Sequence, residues 1–435
     1  MIIVCTAQIL NAQEAAPALH RCGYEQALTK MELAHPGYLE AVNQTFENAK
    51  QLAETRKVSG GQQTLCVPVV FHVVYNQADG NLPDSVLLSQ IDVLNEDYNR
   101  SNPDTNLTRS EFDTIAGNGG VRFYMATIDP DGNATDGITR TQTSTATFGL
   151  SFDDVKSDAT GGKSPWPTNK FLNIWICDLS FFGIPAILGV AYPPAGAPNW
   201  PPGSVPADTN VQGVVAHYAV VGRNNPFATG ALSIAASGRT VTHEVGHYMG
   251  LRHIWGDGQG GQGCSVDDGI DDTPNSESSQ QQSCNYNANT CVDPGYDYPD
   301  MIENFMDYSD EACQNMFSQG QVDLMRLMLE TERSSLITDS CSSEPPVISG
   351  LFDVPTSKTN LQVWPNPANQ VLNFQLSSEQ NNWEIMDAWG RVILTGESNS
   401  GQSKAVDISD VAPGIYLLRE FNPEEELHGQ FVVAR

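Results

Sequence analysis

The run of residues 242–257, THEVGHYMGLRHIWGD, places metal-binding side chains at a helical spacing. His243 and His247 are four residues apart, so on a helix their rings project from one face, a turn apart, and can hold one ion. Gly250 can adopt a left-handed conformation that ends the helix, and the reversal brings His253 round as a third imidazole. The pattern therefore predicts a metal site built from three neutral nitrogen ligands.

A site with three protein ligands leaves one coordination position open, which is typical of a catalytic zinc rather than a structural one. Zinc would lower the pKa of a bound water from about 16 to about 7 and would polarise a peptide carbonyl. Glu244 is not a ligand; its carboxylate is placed to take the proton of that water and later to protonate the leaving amine. A bare H-E-x-x-H occurs by chance on ordinary helices, but the added glycine and third histidine make coincidence improbable in a chain with eight histidines.

The same run matches the metzincin pattern H-E-x-x-H-x-x-G-x-x-H, and Asp257 makes it similar to the pappalysin family within that clan. A second motif, NFMDYS at residues 304–309, resembles the methionine turn of pappalysins. The resemblance implies that Met306 packs beneath the three imidazoles and that Tyr308 stabilises the oxyanion. On spacing alone, Met306 would be a core methionine and Tyr308 a surface tyrosine.

Four of the nine cysteines crowd into one stretch rich in Gly, Asn, Asp and Ser. Disulfides in an oxidising compartment explain this better than a structural zinc site, because the short C-x-x-C spacing is missing. Spacing alone leaves three pairings open. The resemblance to pappalysins implies that Cys264 pairs with Cys291 and Cys284 with Cys313, whereas the partners of the cysteines at 66, 177 and 341 stay open.

An acidic loop lies between the two motifs. Asp268, Asp271 and Thr273 supply hard oxygen ligands in a tight turn, so we expect a structural calcium; a solvated acidic turn is the alternative. Some pappalysins cleave beside basic residues by means of an acidic side chain after the methionine turn, and Asp310 and Glu311 are candidates for that role here.

The N-terminal part predicts export and control. Residues 1–16 resemble a signal peptide in truncated form. Residues 17–57 are polar and helical in places, and the basic pair at 56–57 is a plausible processing site that would make them a pro-segment. Within it, Arg21-Cys22-Gly23 is similar to the cysteine switch of metzincin zymogens, in which a thiolate occupies the fourth zinc position. A cysteine with no such role is the alternative.

Hydrophobic patterning between residues 58 and 341 predicts a mixed sheet backed by helices, and the resemblance to metzincins implies that this range is the catalytic domain. The apolar, β-branched run 67–75 reads as a strand buried on both faces, and Leu87, Leu88, Ile91, Leu94 and Tyr98 fall at helical spacing after it. Further strands are expected within 121–128, 171–177, 188–192 and 213–220. The expected class is α+β: a metzincin domain with a mixed twisted sheet, a backing helix and a zinc-binding active-site helix, preceded by the pro-segment and followed by a β-sandwich.

The tail reads as a separate domain. Residues 342–355 form a linker by composition, and residues 356–435 show short alternating strands. Segments 364–368, 385–391, 413–418 and 431–433 are similar to C-terminal sorting domains of type IX secretion substrates, which implies export through the periplasm of a Gram-negative bacterium to the medium or cell surface, with the secretion machinery as partner. A carbohydrate-binding or adhesive sandwich is the alternative.

The composition limits the kinds of partner that the protein is expected to bind. With 22 basic and 52 acidic residues, the formal charge of −30 repels phosphate backbones, so nucleic acid is not expected. No apolar run is long enough to cross a bilayer. The sequence therefore predicts a secreted, latent zinc endopeptidase that acts on proteins or peptides. The rival is a catalytically silent adhesin or binding protein on the same fold, against which the intact Glu244 argues.

Overall fold

The computed structural model describes most of the chain between residues 20 and 433. The described residues are 20–55, 63–149, 151–181, 183–185, 187–194, 211–256, 263–279, 283–293, 296–338, 341, 361, 363–375, 381–387, 392–398, 403–409, 411, 414–421 and 426–433. The predicted signal peptide, the basic pair at 56–57, Asp257 and the predicted linker 342–355 lie outside them. The chain divides into two compact units, Met1–Ile348 and Ser349–Arg435.

The first unit is built around one mixed sheet. Its helices are α1 (Tyr24–Ala34), α2 (Tyr38–Thr55), α3 (Asp84–Tyr98), α4 (Ser110–Asp113), α5 (Arg239–Tyr248) and α6 (Gln319–Glu330). Its strands are β1 (His20–Cys22), β2 (Leu65–Tyr75), β3 (Val121–Met125), β4 (Ile138–Gln142), β5 (Leu172–Cys177), β6 (Ser180–Phe181), β7 (Ile184–Pro185), β8 (Ile187–Ala191) and β9 (Val214–His217).

The strand order of the main sheet is β1-β8-β9-β5-β2-β3. On the outer side of β2, its first half pairs with β3 and its second half pairs with β4. All pairs in this sheet are parallel except β8 with β9. The long strand β2 is buried along almost its whole length, which explains its continuous apolar sequence. The predicted α+β class with a mixed sheet is confirmed.

The helix behind the sheet is α3. Its side chains Leu87, Leu94 and Tyr98 join strand β2 and helix α5 in one hydrophobic core. Leu88, which the spacing also places on the apolar face, is instead 48% exposed. The packing of α3 against α5 therefore helps to position α5, which carries the metal-binding motif.

The second unit is an all-β domain. Its strands are β10 (Val363–Trp364), β11 (Val371–Gln375), β12 (Asn381–Asp387), β13 (Val392–Ser398), β14 (Ser403–Asp407), β15 (Gly414–Phe421) and β16 (Glu426–Val433). They form two antiparallel sheets, β10-β11-β14 and β13-β12-β15-β16. Side chains from both sheets, among them Phe374, Ile385 and Leu418, share one core, as a sandwich requires.

Among the described residues, three disulfides cross-link the first unit. Cys264 bonds to Cys291 and Cys284 to Cys313, as the resemblance implies. The third bond joins Cys66 to Cys341, a pairing that the sequence left open. Among the helices that the structure describes, none is long and apolar enough to cross a membrane.

Candidate metal centre

Helix α5 and the reversal after it carry the three histidines. Every residue of α5 is buried, which suits a helix placed between the sheet and the rest of the core. The helix ends before Gly250, whose φ of +94° only glycine adopts without strain. A Cβ atom there would also lie 3.0 Å from Met328. The left-handed turn sends the chain back toward α5, so that His253 meets His243 and His247.

The three imidazoles converge through their Nε2 atoms. The Nε2 atoms of His243 and His247 are 3.1 Å apart, those of His247 and His253 are 3.1 Å apart, and those of His243 and His253 are 3.2 Å apart. A carbonyl oxygen only accepts, so Nδ1 of His243 donates to Phe305 O at 2.7 Å and Nδ1 of His247 donates to Leu251 O at 2.8 Å. The facing nitrogens then carry lone pairs.

Lone pairs that face one another cannot form hydrogen bonds among themselves. Burial, assisted by His253 and His243, lowers the pKa of His247 well below its ordinary value, so that ring is neutral. A cation bound by the three Nε2 atoms would satisfy all of them at once. Imidazole donors whose other nitrogen is bound to a carbonyl are the ligands that zinc takes in proteins, so the residues fit that metal.

Cys22 lies at the same place. Strand β1 runs parallel to β8 with Cys22 opposite Gly189, and the N–H of Gly23 donates to the carbonyl of Gly189 at 2.8 Å. One ligand atom from Cys22 and one from each of the three histidines all lie within 4.8 Å of one another. Among the described residues, these four are the only group of three or more His, Cys, Asp or Glu side chains whose ligand atoms lie this close together.

Glu244 lies beside this group and is fully buried. The Cys22 thiol donates to its Oε2 at 3.5 Å, and within the described residues its Oε1 has no hydrogen-bond partner. Burial raises the pKa of Glu244 to about 8, and the hydrogen bond from Cys22 opposes that shift. A Cβ atom at Gly189 would lie 2.5–2.9 Å from this side chain, so glycine leaves the room that the carboxylate occupies. The sequence offered no signal for Gly189.

The methionine-turn segment lies against α5. The sulfur of Met306, which is fully buried, lies 2.6 Å from where a Cβ atom of Gly246 would be, so glycine permits this close packing. The ring of Tyr308 lies with its centroid 5.7 Å from that of His243 and 5.0 Å from that of His253. Tyr308 is thus at the histidine cluster and not on the surface.

Two further aromatic side chains cover the imidazoles, and the sequence analysis missed both. Trp255 stacks on His253 with ring centroids 4.4 Å apart and planes at 5°. Tyr24, from the pro-segment, stacks on His247 at 4.0 Å and 8°. Trp255 follows the third histidine by two residues and Tyr24 follows Cys22 by two, which is the only sequence signal for either.

Glu311, one of the two acidic candidates for selecting basic residues, is buried and hydrogen-bonded to the start of α5, so its carboxylate is not available to a substrate. It is 1% exposed, and its carboxylate accepts the N–H of Ser237 at 2.8 Å and both the N–H and the hydroxyl of Thr240 at 2.7 and 2.9 Å. These donors lie at the start of α5, where a negative charge stabilises a helix. Further along α5, the Thr242 hydroxyl donates to the carboxylate of Asp97, and the Thr242 carbonyl accepts the hydroxyl of Tyr98. These two bonds attach α5 to α3.

Replacing Glu311 with glutamine should loosen the start of α5. An amide keeps one acceptor oxygen but loses the charge, so we expect a loss of about 1–3 kcal/mol in the free energy of unfolding, together with weaker zinc binding. Thermal unfolding and zinc titration measure the two effects. Asp310→Asn is the matched control, because its carboxylate caps the N–H of Ala312 in its own turn. If both variants behave alike, Glu311 does not position the helix.

The acidic loop brings two of its three predicted calcium ligands together. Asp268 is fully buried, and its Oδ1 accepts the Thr273 hydroxyl at 2.7 Å. Within the described residues its Oδ2 has no hydrogen-bond partner, and burial raises the pKa of Asp268 to about 8. The Asp271 side chain is 88% exposed and pairs with Lys50 of α2 at 3.2 Å. An unpaired buried carboxylate oxygen fits a cation.

Two family models match the chain. Residues 155–330 match the peptidase M43 family, described as pregnancy-associated plasma protein-A. Residues 362–434 match the secretion system C-terminal sorting domain. The first match includes α5 and the methionine turn, and the second covers nearly all of the all-β unit.

Known relatives are extracellular metalloproteases. The chain is 25% identical over 324 residues to one from Arthroderma benhamiae, which covers 74% of this chain and 91% of the relative. It is 30% identical over 289 residues to extracellular metalloprotease 1 of Coccidioides posadasii, covering 66% of this chain and 83% of the relative.

Solved structures from Tannerella forsythia are also similar. A mutant of promirolysin is 38% identical, with a TM-score of 0.61, and the match covers 73% of this chain and 97% of that one. Mature mirolysin in complex with a cleaved peptide is 40% identical, with a TM-score of 0.56, covering 63% and 96%.

Proposed function

Because the chain belongs to the pappalysin family of metalloendopeptidases, we propose that it is a zinc-dependent endopeptidase made as a latent zymogen. The family assignment confirms the resemblance that the motifs indicated. Secretion to the medium or the cell surface is likewise confirmed, by the sorting-domain match and by the extracellular relatives. The observation that carries the finer proposal is the meeting of three Nε2 atoms beside a buried carboxylate.

His243, His247 and His253 would hold the zinc. When bound, zinc supplies a more acidic water and polarises the scissile carbonyl. Phe305 O and Leu251 O orient two of the rings, so that their Nε2 lone pairs point inward. Met306, packed against α5, would keep the floor of this site apolar and rigid.

Glu244 would move the proton. Its carboxyl group is fully buried beside the three histidines, which places it to accept a proton from water first and to donate that proton to the leaving amine later. The clearance at Gly189 lets the carboxylate lie between the helix and strand β8. The Tyr308 hydroxyl would donate a hydrogen bond to the oxyanion that forms on the carbonyl oxygen.

Cys22 would block the site before processing. Its thiolate is a better ligand than water, so a pro-segment that places it beside the histidines closes the fourth position. The pro-segment is held at further points, since Phe46 joins the main core and the Arg252 guanidinium lies 3.8 Å from the centre of its ring. The match to the pro-form of mirolysin covers a larger share of this chain than the match to the mature form, which supports a pro-segment.

The remaining parts follow from the family and from local chemistry. We propose a structural calcium at Asp268 and Thr273, to which Asp271 would turn once Lys50 has left with the pro-segment. The proposed domains are a pro-segment at 17–57, a catalytic domain at 58–341 and a sorting domain at 356–435 that engages the secretion machinery of a Gram-negative bacterium. The rival function, a catalytically silent adhesin, would require that the protein has lost its activity. The presence of all three histidines and of Glu244 argues against that loss.

A digest of a peptide library tests the proposal. The processed protein should cleave internal bonds, lose activity with a zinc chelator, and regain it with about one equivalent of zinc per chain. The cleavage sites would also reveal the bond preference. Cleavage that persists after the metal has been removed, as measured on the same sample, would exclude a zinc mechanism.

A further inference from the structure

The side chain of Tyr24 is placed against the proposed metal ligands by the pro-segment. Its ring lies parallel to that of His247, with centroids 4.0 Å apart, and meets the His253 ring edge to face at 5.8 Å. Tyr24 is 2% exposed. The pro-segment thus covers two of the three imidazoles with one aromatic side chain, in addition to presenting Cys22.

We propose that Tyr24 is a second latency residue, whose ring shields the bond between Cys22 and the metal. The inference rests on the proposed function, in which Cys22 closes a zinc site. A stacked ring on His247 excludes water and reagents from that side of the site, and it fixes the imidazole plane that faces the thiol. Tyr24 is a positioning residue in this scheme, since it does not itself bind the metal.

The backbone around Tyr24 explains why the ring comes to this place. The N–H of Tyr24 donates to Sγ of Cys22 at 3.3 Å, which stabilises negative charge on the sulfur. Gly23 donates to Gly189 O, and a Cβ atom on Gly23 would lie 2.9 Å from Ile187, so this close approach to β8 needs glycine. The three residues therefore act as one unit, with the thiol and the ring on the histidine cluster.

The docking of helix α1 does not depend on the ring alone. Ala27, Leu28 and Met31 are also buried, in the cluster that Ile187 and Val190 form from strand β8. Removing the Tyr24 ring should leave these contacts in place while opening one side of the site. This separates a role at the thiol from a general role in attaching the pro-segment.

The test uses the full uncleaved chain with Glu244→Ala, so that it cannot process itself, loaded with Co²⁺ in place of zinc. A thiolate bound to Co²⁺ gives a near-ultraviolet charge-transfer band, and iodoacetamide measures the accessibility of the Cys22 thiol. In this background, Tyr24→Leu removes the ring, Tyr24→Phe keeps it, and Leu28→Ala trims a buried side chain one turn further along α1.

We expect Tyr24→Leu to weaken the band and to raise the alkylation rate of Cys22 by about tenfold, the scale of one lost stacking contact. Tyr24→Phe and Leu28→Ala should stay within about twofold of the parent. An unchanged band and rate in Tyr24→Leu, or an equal effect from Leu28→Ala, overturns the inference alone. If the parent protein binds Co²⁺ but does not show the charge-transfer band, Cys22 is not a ligand of the metal. That result overturns the proposed role of Cys22 and the inference about Tyr24 with it.

Discussion

The processed Glu244→Ala protein is expected to cleave peptides about a thousandfold more slowly than the processed parent, because it has lost the group that accepts and returns the proton. The side chain is fully buried beside the histidines, and its Oε1 has no hydrogen-bond partner among the described residues. The variant should still bind zinc, since all three imidazoles are intact. Steady-state kinetics on a fluorogenic peptide and metal analysis of the same sample measure both.

His243→Ala is the informative control for this experiment. It should lose zinc and activity together, because two nitrogen ligands do not hold the ion as well as three. Glu244→Ala should separate the two properties. Cleavage by metal-loaded Glu244→Ala at the parental rate would show that another group moves the proton.

The uncleaved Cys22→Ser chain is expected to be on the order of a hundredfold more active than the uncleaved parent, because a neutral hydroxyl is a much poorer zinc ligand than a thiolate. The gain should stay below full activity, since strand β1 still pairs with β8 and the pro-segment still covers the histidines. A short peptide substrate, assayed before any cleavage of the chain is detectable, measures the difference.

Cys177→Ser is the matched control for this prediction. Cys177 is also a buried thiol outside the disulfides, but it lies at the end of β5 and outside the group formed by Cys22 and the histidines. Its replacement should leave latency unchanged. If uncleaved, zinc-loaded Cys22→Ser stays as silent as the parent, the thiol is not what keeps the enzyme latent.

Much of the fold and of the site was readable from the sequence, because these features depend on local periodicity. The four-residue spacing of His243 and His247 defines one helix face, and a glycine at position 250 predicts the turn that follows. Strand β2 was visible as a continuous apolar run, since a strand covered on both faces has no polar side to reveal. Each of these signals lies within about a dozen residues of the structure that it predicts.

What the sequence could not reveal depends on partners that are distant along the chain. Glu311 reads as one acid in an acidic turn, and its role appears only where it meets Thr240, 71 residues earlier. Gly189 matters because Glu244 fills the space that its missing side chain leaves. Tyr24 lies in a polar segment, and its spacing from Cys22 does not reveal that its ring meets His247.

The bond between Cys66 and Cys341 closes 275 residues of sequence separation into a covalent ring. Both the basic pair at 56–57 and the linker at 342–355 lie outside that ring, so trimming at either flank leaves it closed. Such a closure disfavours the unfolded chain by on the order of 5 kcal/mol. Exopeptidases could therefore remove the residues that flank Cys66 and Cys341 while the catalytic domain between these two cysteines stays covalently closed.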